Sequence, residues 1–217
     1  MNATTVTGAD TTAMVVSNKS NISAKTQKPS GLCARLAYGT ANCIKLFGFG
    51  IAAAGIGTPL TVGIVNISQL LGYVPDVDLE TMCKLKPMIA NPIGGAAIGL
   101  IIPIAEEILF RGLVQDVLLT RIPKYIVKKT LPGKETVFDA KIAQAVRIIL
   151  TAALFSAAHS LNDGTLPDSY VKAQLIATFV GGVGLGVLKE SASGLLSAIG
   201  GHSANNLASI AYTLYIC

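Results

Sequence analysis

Long apolar stretches alternate with short charged ones along this 217-residue chain. No charged residue falls between Lys45 and Asp76, between Lys86 and Glu106, or between Glu190 and Cys217. Each gap can hold a helix of about 20 residues, the length that crosses a hydrocarbon core of roughly 30 Å. The apolar periodicity predicts five spans, over residues 46–71, 92–119, 142–160, 171–188 and 193–216. The second span contains Glu106, Glu107, Arg111 and Asp116, and its Pro103 is expected to kink or break the helix. Gly95-x-x-x-Gly99 and Gly182-x-x-x-Gly186 put small residues on one helix face, which suits close helix approach in lipid. The expected fold class is all-α, a polytopic transmembrane helix bundle of about five spans.

Three regions follow from this pattern. Residues 1–42 read as a disordered polar tail, since the first 30 are rich in Thr, Ser, Asn and Lys and lack an apolar leader segment. Residues 43–91 hold the first span and its loop, and residues 92–217 form the membrane core that carries the candidate chemistry.

Composition sharpens the class. Hydrophobic residues make up 51% of the chain and charged ones only 13%, about half the charge of an ordinary soluble domain. Mean hydropathy is +0.58. A soluble globular protein is excluded, and the net charge of +5 is not a nucleic-acid footprint. Much of that charge lies in two places: Lys19, Lys25, Lys28, Arg35 and Lys45 before the first span, and Arg121, Lys124, Lys128, Lys129, Lys134 and Lys141 between the second and third. The positive-inside bias therefore puts the N-terminus and the 120–141 loop in the cytoplasm, with the C-terminus across the membrane. Cys33, Cys43, Cys83 and Cys217 show neither CxxC spacing nor the density of a secreted scaffold, so neither a zinc knuckle nor a disulfide framework is expected.

Ionisable groups inside a bilayer cost several kcal/mol or more, which makes each a functional candidate by default. On a helix, Glu107 and Arg111 stand at i and i+4 with the acid nearer the N-terminus, the favourable order for an ion pair. Glu106 lies about 100° further round the helix and is left without that partner. The chain has two histidines, both in apolar surroundings. His159 shares a helix face with Phe155, and His202 shares one with Asn206. Counted from the cytoplasmic span ends at 1.5 Å per residue, Glu106, His159 and His202 lie roughly 20, 25 and 14 Å deep. Helix tilt covers that spread, so the three are able to share one cavity. A glutamate with two histidines suits hydrolysis, the carboxylate acting as base on water while imidazoles orient it, hold a metal or stabilise an oxyanion. It also suits a proton relay in a transporter, although no internal repeat supports that alternative. The H-E-x-x-H motif of zinc hydrolases is absent.

Glu106-Glu107-x-x-x-Arg111, Phe155-x-x-x-His159 and His202-x-x-x-Asn206, in this order on successive spans, resemble the three motifs of the CPBP family. That family comprises the type II CAAX prenyl endopeptidases and bacterial relatives implicated in bacteriocin processing and immunity. The resemblance covers roughly residues 92–216. It implies an intramembrane endopeptidase acting on a membrane-associated peptide or protein, prenylated CAAX-type or unprenylated, within the lipid bilayer, with no nucleic-acid partner. By that resemblance Glu106 activates water, His159 positions it, and His202 and Asn206 bind the carbonyl as it becomes an oxyanion. Glu107, Arg111 and Phe155 support them. The resemblance leaves open whether His159, His202 and Glu106 hold a zinc ion or act without metal. The alternative within the family is a non-proteolytic immunity or scaffold protein of the membrane. The chain has one span ahead of the core where the eukaryotic CAAX proteases have several, which bears on the substrate more than on the chemistry.

Overall fold

The computed structural model describes residues 32–164, 166–191 and 194–217; most of the expected polar tail lies outside the described residues. The first helix, α1 (Leu32–Leu70), begins inside the stretch assigned to that tail. Two short helices follow, α2 (Leu79–Cys83) and α3 (Lys86–Ala90). The core consists of α4 (Pro92–Thr130), α5 (Lys141–Ala158), α6 (Asp168–Ser191) and α7 (Leu195–Ile216). Among the described residues there is no strand.

Local chemistry sets the helix starts. Asp78 caps α2 by accepting from the Thr81 backbone N–H at 2.6 Å, and that bond holds its carboxyl below the usual carboxylate range. Asn91 caps α4 through the Ile93 N–H at 2.9 Å, with Pro92 at the first helical position. Gly133, at φ +86°, makes the turn between α4 and α5.

Helices α1, α4, α5 and α6 are each long and apolar enough to cross a membrane. The remaining core helix, α7, has 22 residues, sufficient for about 33 Å. Ser197, His202, Ser203, Asn205 and Asn206 dilute its apolar run, which makes it the inward-facing wall of the bundle. The α4 helix runs on to Thr130, so Arg121, Lys124, Lys128 and Lys129 extend a helix rather than form a loop.

Pro103 does not break α4 into two. The helix widens instead: Ala97–Ile101 and Ile108–Arg121 are wound as π-helix, and the Ile102 N–H reaches the Ala97 carbonyl, five residues back. A wider turn ahead of a proline relieves the clash of its ring with the carbonyl four residues back.

The bundle is polar inside. The largest fully buried side chains include Arg111, Gln115 and Glu107 beside Phe155, while Ile51, Ile56, Leu60, Ile149, Leu150 and Leu154 are exposed where lipid would lie. Glycines allow the helices to meet. A Cβ on Gly50 of α1 would run into the Ser197 carbonyl of α7, and one on Gly186 of α6 would meet Ile148 of α5 at 2.9 Å.

Contrary to the cysteine expectation, Cys83 and Cys217 form a disulfide, with Cα atoms 5.5 Å apart and a sequence separation of 134. Spacing rules missed it because the partners become neighbours only when α7 returns beside α3. Among the described residues Cys43 is a free thiol, exposed on α1.

Candidate active site

The site is built on one face of α4. Glu107, Arg111 and Gln115 stand at successive four-residue steps, and all three are fully enclosed. Arg111 Nη1 donates to Glu107 Oε1 at 3.0 Å, the expected ion pair. Its Nη2 donates to the Gly182 carbonyl of α6 at 3.0 Å, and the guanidinium lies 4.6 Å from the centre of the Phe155 ring. Gly182 matters here because a side chain on it would fill the space beside Ala152 and Phe155.

Glu106 faces away from this pair and toward both histidines. Its Oε1 is 3.8 Å from His159 Nε2, and its Oε2 is 3.6 Å from His202 Nε2. These separations exceed a direct hydrogen bond and suit one water lying off the line between the atoms.

Two hydrogen bonds determine which imidazole nitrogens face the glutamate. His159 caps the C-terminus of α5, where the last carbonyls lack helical donors, and its Nδ1 lies 2.8 Å from the Phe155 carbonyl. A carbonyl only accepts, so that Nδ1 carries the proton. His202 Nδ1 lies 2.9 Å from Glu107 Oε1, the oxygen already held by Arg111, and donates to it in the same way. With Nδ1 committed in each case, it is Nε2 of both His159 and His202 that faces Glu106. Phe155 fixes the ring planes, standing edge-on to His159 at 4.7 Å and to His202 at 5.7 Å.

Asn206, one turn beyond His202, donates through Nδ2 to the Ile98 carbonyl of α4 at 3.0 Å. Its neighbour Asn205 accepts from Thr58 of α1 at 2.9 Å. That bond ties Asn206 to the α4 backbone eight residues ahead of Glu106.

A second polar cluster was not anticipated. Gln115 donates to Glu190 at 2.9 Å, and Arg147 grips both Glu190 oxygens, at 3.0 and 2.8 Å. Arg147 also donates to the Phe138 carbonyl at 2.7 Å. Gln144 reaches Glu190 at 3.2 Å, and Lys189 lies between Glu190 and Asp116. The available signal was Gln115 itself, one further turn along the Glu107–Arg111 face. A continuous polar seam runs from the histidines through Glu107, Arg111 and Gln115 to this cluster.

For zinc, the test is the donor set. Among the described residues, no group of three or more His, Cys, Asp or Glu side chains is arranged to hold a metal ion. The zinc site on His159, His202 and Glu106 is not supported by this arrangement.

An all-helical membrane bundle thus encloses a carboxylate between two imidazoles, a set that suits hydrolysis. The family comparison is consistent with it: the model of the family described as type II CAAX prenyl endopeptidase Rce1-like matches residues 89–208. The chain belongs to that family. No curated protein and no solved structure matches it.

Proposed function

We propose that the chain is an intramembrane endopeptidase that cleaves a membrane-associated peptide by water activated at Glu106. The observation that carries this reading is the Glu106 carboxylate, unpaired with Arg111 and set 3.6–3.8 Å from the Nε2 atoms of both histidines. Glu106 takes a proton from the water that it holds with His159. The hydroxide adds to the scissile carbonyl, and the protonated Glu106 then delivers that proton to the departing amine, which restores the carboxylate. His202 donates to the developing oxyanion only as imidazolium, because its Nδ1–H is committed to Glu107. Glu107 offsets that imidazolium charge, and Arg111 offsets the second carboxylate. The remaining N–H of Asn206 is the second oxyanion donor.

The orientation belongs to the same proposal. Disulfides persist in oxidising compartments, and the Cys83–Cys217 bond joins the 72–91 loop to the C-terminus. Both lie opposite the basic segment around Lys124–Lys141, which agrees with that segment and the N-terminus facing the cytoplasm.

The test is cleavage of prenylated and unprenylated peptides by protein reconstituted in vesicles, wild type against Glu106→Gln at matched levels. Wild type should cleave, and the Gln variant should fold normally yet lose about 10²-fold or more of the rate, the usual scale of a general base. Equal rates would move the base elsewhere. No cleavage of any peptide would favour the non-proteolytic immunity or scaffold role.

A further inference from the structure

The bond between Asn206 and α4 lands on an unusual acceptor. In an α-helix the Ile98 carbonyl would take the N–H of residue 102, but the Ile102 N–H is directed to Ala97. In the wider winding that begins there, the donor for Ile98 would be residue 103, which is proline and has no N–H. The helix thus leaves the Ile98 carbonyl without its own partner, at membrane depth and eight residues ahead of Glu106. A backbone carbonyl orphaned in such a place is costly, and Asn206 supplies the missing donor at 3.0 Å.

We propose that Pro103 and the carbonyl it frees at Ile98 form a positioning device for Asn206. The two N–H bonds of a carboxamide are coplanar and about 120° apart, so fixing one fixes the other. With one N–H on Ile98, the second is held in a set direction for a substrate carbonyl polarised by His202, one turn away on the same face of α7. Pro103 and Ile98 touch no substrate; they act through Asn206. The device deepens the endopeptidase reading and rests on it for its catalytic half.

The experiment is a double-mutant cycle between Pro103→Ala and Asn206→Ala, read in two ways. Alanine at 103 restores an N–H that competes for the Ile98 carbonyl and suits a helix better than proline. Pro103→Ala should therefore unfold at the wild-type temperature or above while kcat falls about tenfold or more, with KM little changed. Asn206→Ala alone should lower the unfolding temperature by about 4–8 °C, because it strands the carbonyl. In the Pro103→Ala background that drop should shrink to less than half, and kcat should fall little further. Asn206→Asp, which keeps the volume but loses both N–H groups, should behave like Asn206→Ala in both readouts. Additive effects on unfolding, or a Pro103→Ala protein that fails to fold, would overturn the device. Coupled unfolding with an unchanged kcat in Pro103→Ala would overturn its catalytic half. If wild type cleaves nothing, the endopeptidase reading fails by itself, and the unfolding cycle still decides whether Pro103, Ile98 and Asn206 are linked.

Discussion

Replacing Arg111 by alanine tests the polar core most directly. The side chain is fully enclosed, donates to Glu107 and to the Gly182 carbonyl at 3.0 Å each, and covers the Phe155 ring. Its loss leaves a buried carboxylate whose remaining partner is His202, and breaking one side of a buried pair costs about 3–5 kcal/mol. The Gly182 carbonyl loses a donor too, a loss of about 1–3 kcal/mol taken alone. The two losses share one cavity, so their sum is an upper bound. A total near 4 kcal/mol, at about 2–4 °C per kcal/mol for a chain of this size, lowers the unfolding temperature by roughly 8–16 °C. The assay is thermal unfolding in detergent, followed by circular dichroism or by labelling of buried residues. Glu107→Gln in the Arg111→Ala background should recover a good part of the loss, because it removes the stranded charge. Lysine at 111 should recover less, since a single ammonium cannot reach both acceptors in the arginine's fork geometry. An Arg111→Ala protein that unfolds within about 1–2 °C of wild type, rather than roughly 8–16 °C lower, would refute the pairing. So would a double variant no better than the single.

Arg147→Ala should destabilise less, by about 1.5–3 kcal/mol, because Glu190 keeps Gln115, Gln144 and Lys189; a loss larger than that of Arg111→Ala in the same unfolding assay would invert the ranking. Metal chelators should leave the cleavage rate unchanged, and a loss that added zinc restores would require a metal at the histidines. Cys83→Ser, Cys217→Ser and the double variant should lower the unfolding temperature equally, by an amount near 2–4 kcal/mol, since all three remove one bond. A double variant markedly worse than either single would contradict that pairing. In intact wild-type protein Cys217 should take an alkylating reagent only after reduction, as a mass shift on the C-terminal peptide.

The spans and the ion pair were legible because each rests on local arithmetic. Charge gaps mark membrane helices, and the four-residue step from Glu107 to Arg111 fixes a pair whatever the tertiary fold. That step also left Glu106 without an arginine, which is how the structure has it. The rest depends on where separate helices meet. Glu190 and Arg147 read as charges near span ends, and only the packing of α5 on α6 turns them toward Gln115. The disulfide joins residues that no spacing rule relates. The acceptor for Asn206 is a backbone carbonyl made available by a proline and a change of winding, so no pattern of side chains announces it. The extent of α4 was misjudged at its basic end, because lysines there continue the helix beyond the apolar run.

The Cys83–Cys217 bond also closes a covalent ring. The ring, whose ends are 134 positions apart in sequence, takes in α3 and all four core helices, while α1 hangs outside it. At that end α3 is folded tightly onto the start of α4, where a Cβ on Gly94 would strike the Met88 carbonyl. The ends of α4 and α7 are thus laced together and cannot splay apart to admit a chain. On the proposed endopeptidase reading, a peptide reaching Glu106 comes sideways between helices, out of the lipid, or up from the unlaced end. The same ring means that a protease nick between α4 and α5 severs the backbone without parting the molecule, and the two pieces separate only under reducing conditions.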